Sequence, residues 1–164
     1  MKAISDSTPI MHLARIGRIN YLKSIFDEII IPTEIYKEVI EKGEELSKTE
    51  VALIKAMIAE KFIVVKEARQ NLGMLNLHKG EKEAISLCKE LKINNLLIDD
   101  KEGLNSAIML SLTPIRTTAI LIILIDKKII NFNEYKESLQ KLSESGYFLD
   151  ASTYERLLKI GKNL

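Results

Sequence analysis

The chain has 164 residues, 46% of them hydrophobic and 29% charged, which suffices for a core of its own and is too apolar for intrinsic disorder. Its single cysteine excludes an internal disulfide and a zinc site built from cysteines. Lys and Arg number 24 against 23 Asp and Glu, a formal charge of +1, so any nucleic-acid footprint has to be local rather than carried by bulk charge.

Asp6 interrupts the N-terminus before a signal-peptide apolar region forms, and the longest apolar run, Ala119 to Ile125, falls far short of the roughly 20 residues of a membrane span. Both predict a cytoplasmic protein with no membrane contact. Lys2 to Ser5 reads as a strand, broken at Asp6-Ser7-Thr8-Pro9, where Thr8 is placed to cap a helix with Pro9 in its first position. Ile10, Leu13, Ala14 and Ile16 then recur at helical spacing up to Gly17, and a second helical piece surrounds Tyr21, Leu22, Ile25 and Phe26. Ile29-Ile30-Ile31, ended by Pro32, has the continuous β-branched character of a strand buried on both faces. A helix is predicted from Thr33 to about Glu41, another over Leu46 to Glu60, a strand over Phe62 to Val65, and a polar loop from Arg69 to His78.

Gly80-Glu81 opens an amphipathic helix carrying Ala84, Ile85, Leu87, Cys88 and Leu91, with Cys88 on its apolar face. Leu96 to Ile98 is a short buried strand stopped by Asp99-Asp100, followed by a helix from about Glu102 to Leu110 and a strand near Ile115. Thr117 to about Lys127 is apolar nearly all round, as suits a helix between layers or at a homodimer interface. Asn133 to Glu144 is amphipathic and ends at Ser145-Gly146, and Ser152 with Glu155 reads as a capping box for a last helix. Strands alternating with helices predict an α/β fold of three layers, α/β/α, around a parallel sheet of four or five strands. Residues 1–130 form that domain, and residues 131–164 a C-terminal helical extension packed on it.

Ligands of open parallel sheets bind beyond the carboxyl ends of the strands. Here those positions are acids: Asp6 after the first strand, Asp99 and Asp100 after the strand at Leu96 to Ile98. If the two strands are neighbours, these carboxylates converge. Glu38 stands one turn beyond Glu34 in the helix after the second strand, and Glu81 and Glu83 occupy the first turn of the helix at Gly80, where the dipole favours negative charge. Each acid alone has an ordinary explanation as a turn residue, a solvated face or a dipole partner. Together they suggest a cluster, whose repulsion is relieved by protonation or by a hard cation, and oxygen donors without clustered His or Cys suit Mg²⁺ or Mn²⁺. His12 and His78 have no pairing partner in the pattern and read as surface or hydrogen-bonded side chains.

Asp6-Ser7-Thr8, Pro32 through Glu38-Val39, Leu77 through Ile85, and Leu97-Ile98-Asp99-Asp100 together resemble PIN-domain proteins, in particular a prokaryotic, largely archaeal subfamily of predicted nucleic-acid-binding proteins related to VapC toxins. The likeness runs over nearly the whole chain, including Gly146 to Leu158. It implies Mg²⁺- or Mn²⁺-dependent hydrolysis of RNA phosphodiester bonds, as the toxin of a toxin–antitoxin pair whose antitoxin protein binds the groove. Residue by residue, Asp6 matches the family's first acid, with Ser7 and Thr8 as the hydroxyls that orient it, and Glu38 the second. Glu81 matches the third, with Glu83 an alternative, and Asp100 the next, supported by Asp99. The resemblance assigns the metal to Asp6, Glu81 and Asp100, with Glu38 as general base or ligand of metal-bound water.

Many family members carry a further acid after the final strand, where this chain reads Pro114-Ile115-Arg116-Thr117-Thr118-Ala119. Thr117 can hold a metal-bound water there but supplies no charge. The missing acid supports the alternative of a weak or inactive PIN-fold module that binds nucleic acid or a partner protein without cutting. Lys79, Lys82, Lys101 and Arg116 lie beside the acids as candidate contacts to RNA, and Arg15 and Arg18 flank the end of the first helix.

Overall fold

Ile29, Ile30 and Ile31 are all buried, which successive strand residues achieve only when both faces of the sheet are covered. The computed structural model describes residues 1–69, 73 and 77–164; within the loop expected at Arg69 to His78, residues 70–72 and 74–76 lie outside that description. The isoleucines form β2 (Glu28–Pro32) of a five-stranded sheet with β1 (Lys2–Ser5), β3 (Ile63–Lys66), β4 (Asn95–Leu97) and β5 (Thr113–Ile115). The strand order is β3-β2-β1-β4-β5, with every pair parallel. Ile4 of the central strand lies opposite Ile30 on one side and Leu96 on the other.

The period of two divides the apolar residues between two faces. Ala3, Ile29, Ile31 and Leu97 point to one cluster, which contains Ile10 and Leu13 of α1 (Ser7–Arg15), Ile54 of α4 (Glu50–Ala59) and Ile120 and Leu124 of α7 (Thr117–Asp126). Ile4, Ile30, Leu96 and Ile98 point to the other, covered by Ala84, Ile85 and Cys88 of α5 (Lys79–Leu91) and Ala107 of α6 (Lys101–Met109). The result is the expected α/β/α sandwich. Burial pushes the Cys88 thiol up to about 12, in keeping with a core residue. The apolar face of α7 is buried within the chain by these contacts.

The helix after β2 departs from its predicted extent. It begins as α2 (Thr33–Tyr36), passes through a π-helical turn (Lys37–Glu41) and continues as α3 (Lys42–Glu45). The next helix starts later than predicted, because Ser47 takes a left-handed backbone with φ of 52°. Three helix starts also differ. An N-cap needs an extended backbone, and Asp6 (φ −71°, ψ 171°) has one, so α1 starts at Ser7 with Pro9 third in the helix, still within the turn where its missing N–H costs nothing. Asn131 caps α8 (Phe132–Glu144) in a reciprocal pair with Glu134, at 3.0 and 2.8 Å. Asp150, not Ser152, caps α9 (Ala151–Lys162), accepting from Thr153 N at 2.8 Å.

The apolar cluster under α1 and α7 continues without a break into α8 and α9 through Tyr135, Leu139, Leu142 and Leu157. Tyr135 is wholly buried and donates its hydroxyl to Leu157 O at 3.0 Å, which joins the two helices. Gly161 faces the ring of Tyr135 so closely that a Cβ would overlap it, and a buried ring held by a hydrogen bond cannot swing aside as an aliphatic tip can. Gly161→Ala is therefore expected to lower the unfolding free energy by about 1–3 kcal/mol, measured as a shift of the urea midpoint at unchanged slope.

Candidate active site

From β1 the chain crosses to β2 and β3 on one side of the sheet and returns to β4 and β5 on the other. The carboxyl ends of β1 and β4 therefore flank the crevice where strand order reverses, the usual ligand position in open parallel sheets. Asp6 N donates to Leu97 O at 2.9 Å, so the acids that follow the two strands emerge on the same edge.

A cleft of about 380 Å³ at this edge is lined by Asp6, Ser7 and Thr8 with Glu34, Glu38, Gly80 and Glu81. Gly80 brings the start of α5 this near, since a Cβ there would meet Ile35 and lie 3.9 Å from Asp6 Oδ1. Asp6 is 5% exposed. Burial pushes its carboxyl up to about 7; the Ser7 and Thr8 backbone N–H groups oppose this, and Glu81 and Glu38 add to it by repulsion. Glu81 is also raised, by burial first and then by Asp100 among its neighbours, while it accepts from His78 N at 3.1 Å through Oε2. Glu38 is exposed on the π-helical turn, a feature frequent at functional sites, and accepts from Ser7 Oγ at 3.0 Å.

Glu83 lies apart from this group. Its Oε2 accepts from Glu34 N at 3.2 Å, which fastens α5 to the start of α2. Glu34 pairs with Lys79 at 2.7 Å, and Lys79 stands at the cleft mouth. Lys42 and His78 also line the cleft; sequence patterning did not single out Lys42, since the π-helical turn that positions it leaves no signature.

Asp99, Asp100, Lys101 and Arg116 line a second cleft of about 460 Å³ with His12, Tyr147 and Phe148, and Thr8 lines both clefts. Asp99 is buried and engaged through both oxygens: it accepts from Thr117 N at 2.9 Å, Thr117 Oγ1 at 2.6 Å and Tyr147 OH at 2.7 Å. The Thr117 hydroxyl, expected to hold a metal-bound water, is wholly buried and donated to Asp99. Asp100 is exposed and caps α6, its Oδ2 accepting from Glu102 N at 2.8 Å and Gly103 N at 2.9 Å, and Arg116 Nη2 donates to Asp99 O at 3.1 Å. Lys82 is half-buried and lines neither cleft. Arg15 and Arg18 serve the fold, binding Glu50 at 2.5 Å and Ser138 Oγ at 2.9 Å. The sequence reading missed Tyr147 and Phe148, although an aromatic pair directly after the Ser145-Gly146 helix stop was a readable sign.

Among the described residues, no three His, Cys, Asp or Glu side chains form a group able to hold a metal ion by themselves. The donor chemistry nonetheless fits Mg²⁺ or Mn²⁺. Asp6 and Glu81 are buried oxygen donors whose repulsion is relieved by protonation, and Mg²⁺ is commonly bound through one or two carboxylates plus water and substrate phosphate.

Comparison with known proteins gives a family match over residues 2–162, to the family described as a PIN domain (DUF3368). Among solved structures, the chain is similar to a PilT N-terminus domain protein from the hyperthermophilic archaeon Sulfolobus solfataricus P2, at 20% identity and a TM-score of 0.48, covering 73% of this chain and 90% of that one. The curated proteins give no match.

The Asp6 carboxyl opposes folding as pH rises. In the unfolded chain it ionises near 3.8, in the folded protein near 7, so between these values the folded state holds the extra proton and stability falls with increasing pH. Asp6→Asn is therefore expected to stabilise the protein by about 2–4 kcal/mol at pH 8 in EDTA. The difference should vanish below about pH 4, where both states are protonated; urea denaturation across this range measures it.

Proposed function

The chain belongs to the PIN-domain family, a nuclease-type fold, and from that premise we propose that the cleft between β1 and β4 is the active site of a Mg²⁺- or Mn²⁺-dependent ribonuclease. The observation that carries this reading is the Asp6 carboxyl, buried against Glu81 and Glu38 and held near 7. Carboxyls raised by burial and by like charge concentrate at functional sites, and this one lines a cleft at the strand-order reversal.

Asp6 and Glu81 would hold the ion, with Asp100 contributing the oxygen not engaged by the α6 backbone. Bound there, the ion supplies neutralisation of the phosphodiester and acidification of water. Ser7 fixes Glu38 by its hydroxyl, and Glu38, exposed and lining the cleft, would accept a proton from attacking water. Lys79 at one end of the crevice and Lys101 and Arg116 at the other attract the polyanion.

A second reading, a PIN-fold module that binds without cutting, draws on the engagement of Asp99 by Thr117 and Tyr147 and of Asp100 by the α6 backbone. Both acids have fewer oxygens left for a metal. The two readings separate in one assay: purified protein is expected to cleave single-stranded RNA with Mn²⁺ and not with EDTA. Asp6→Asn and Glu81→Gln should each lower the rate by at least about 100-fold, while Glu83→Gln, outside the cleft, stays within about threefold. RNA binding without cleavage at any divalent ion would leave the second reading standing.

A further inference from the structure

The loop between α8 and α9 presents Phe148 to solvent at 88% exposure, on a segment that is otherwise fixed. Its neighbour Tyr147 donates its hydroxyl to Asp99 at 2.7 Å and its backbone N–H to Leu142 O at 3.2 Å, and Arg15 Nη1 donates to the Ser145 carbonyl at 3.1 Å. A pinned loop that displays a phenyl ring leaves apolar surface in water without folding the ring into the core it adjoins.

Phe148 lines the 460 Å³ cleft with Lys101 and Arg116, and this cleft meets the acid cleft at Thr8. Arg116 is steadied by the Asp99 carbonyl, and Lys101 makes no ion pair among the described residues. Cations beside a displayed aromatic face are what an unpaired nucleotide requires, phosphate on the charges and base on the ring; in a duplex the base faces are hidden. One ring among charged and polar neighbours serves one base, whereas a protein interface needs a contiguous apolar core. We propose that Phe148, with Lys101 and Arg116, forms a base-stacking subsite that positions one unpaired nucleotide of the substrate beside the acid cleft, an inference that rests on the ribonuclease reading of that cleft.

The test measures binding of the full chain to a fluorescein-labelled oligouridylate by anisotropy in EDTA, where no cleavage interferes. Phe148→Ala, at an exposed position that spares the core, is expected to weaken Kd about tenfold. Phe148→Trp should keep the affinity, with its indole emission quenched as the oligonucleotide binds. Equal Kd for wild type and Phe148→Ala, as expected if the ring instead meets a protein, overturns the proposal, as does an unquenched Trp. An equal loss on an RNA duplex also overturns it, since a duplex offers no base face. Metal-dependent cleavage, assayed separately, keeps the two readings apart. Protein that binds through Phe148 but cuts nothing keeps the subsite and loses the ribonuclease; protein that cuts while Phe148→Ala leaves both Kd and KM unchanged does the reverse.

Discussion

The parallel pairing of β1 with β4 is the constraint on which the rest depends. It makes β1 the point where strand order turns, and it leaves the ends of the two strands beside a crevice that no crossover helix can fill. Asp6 enters that crevice directly from the ladder, its own N–H bonded to Leu97 O. Gly80 then admits α5 close enough to set Glu81 against it. Had β4 paired elsewhere, the same acids would sit on separate edges as ordinary solvated turns.

The acids divide by what their oxygens already do. Asp99, Glu83 and Glu50 are held by N–H, hydroxyl or guanidinium donors and act as fastenings between elements. Asp6 and Glu81 also meet backbone N–H groups, of Ser7 and Thr8 and of His78, but burial and neighbouring carboxylates outweigh these and both resist ionisation. Only the second kind stores unfavourable energy that a cation can release. The near-zero net charge of the chain averages over this separation, with acids drawn into the crevice and Lys79, Lys101 and Arg116 at its two ends.

The sheet was legible because its strands are short β-branched or apolar runs, those of β1, β2 and β4 stopped by Asp or Pro, a signal that survives without tertiary information. The positions of Asp6 and Asp100 on one edge were legible for the same reason, since both stand at those strand stops, whereas Glu81 was read from the helix start at Gly80. The caps were not, because Thr8 and Ser152 carry the right side chain while the extended backbone belongs to Asp6 and Asp150. Nor was the role of Arg15, which the sequence left beside a helix end and the fold set against buried Glu50. Glu81 and Glu83 lie two residues apart on one helical turn, and it is the approach of α2 that engages Glu83, a contact the sequence does not show. Tyr147 reaches Asp99 across 48 residues of chain, a contact that local pattern does not encode.

That contact and its neighbours also impose an order on synthesis. Arg15 meets Ser145 and Arg18 meets Ser138, more than a hundred residues later, and Asp99 waits for Tyr147. A nascent chain released as far as residue 130 holds every acid of the crevice yet lacks Gly146, Tyr147 and Phe148, which wall the second cleft. The rim at Tyr147 and Phe148 thus closes only after the acids are in place, so a polypeptide still threading from the ribosome carries an incomplete second cleft.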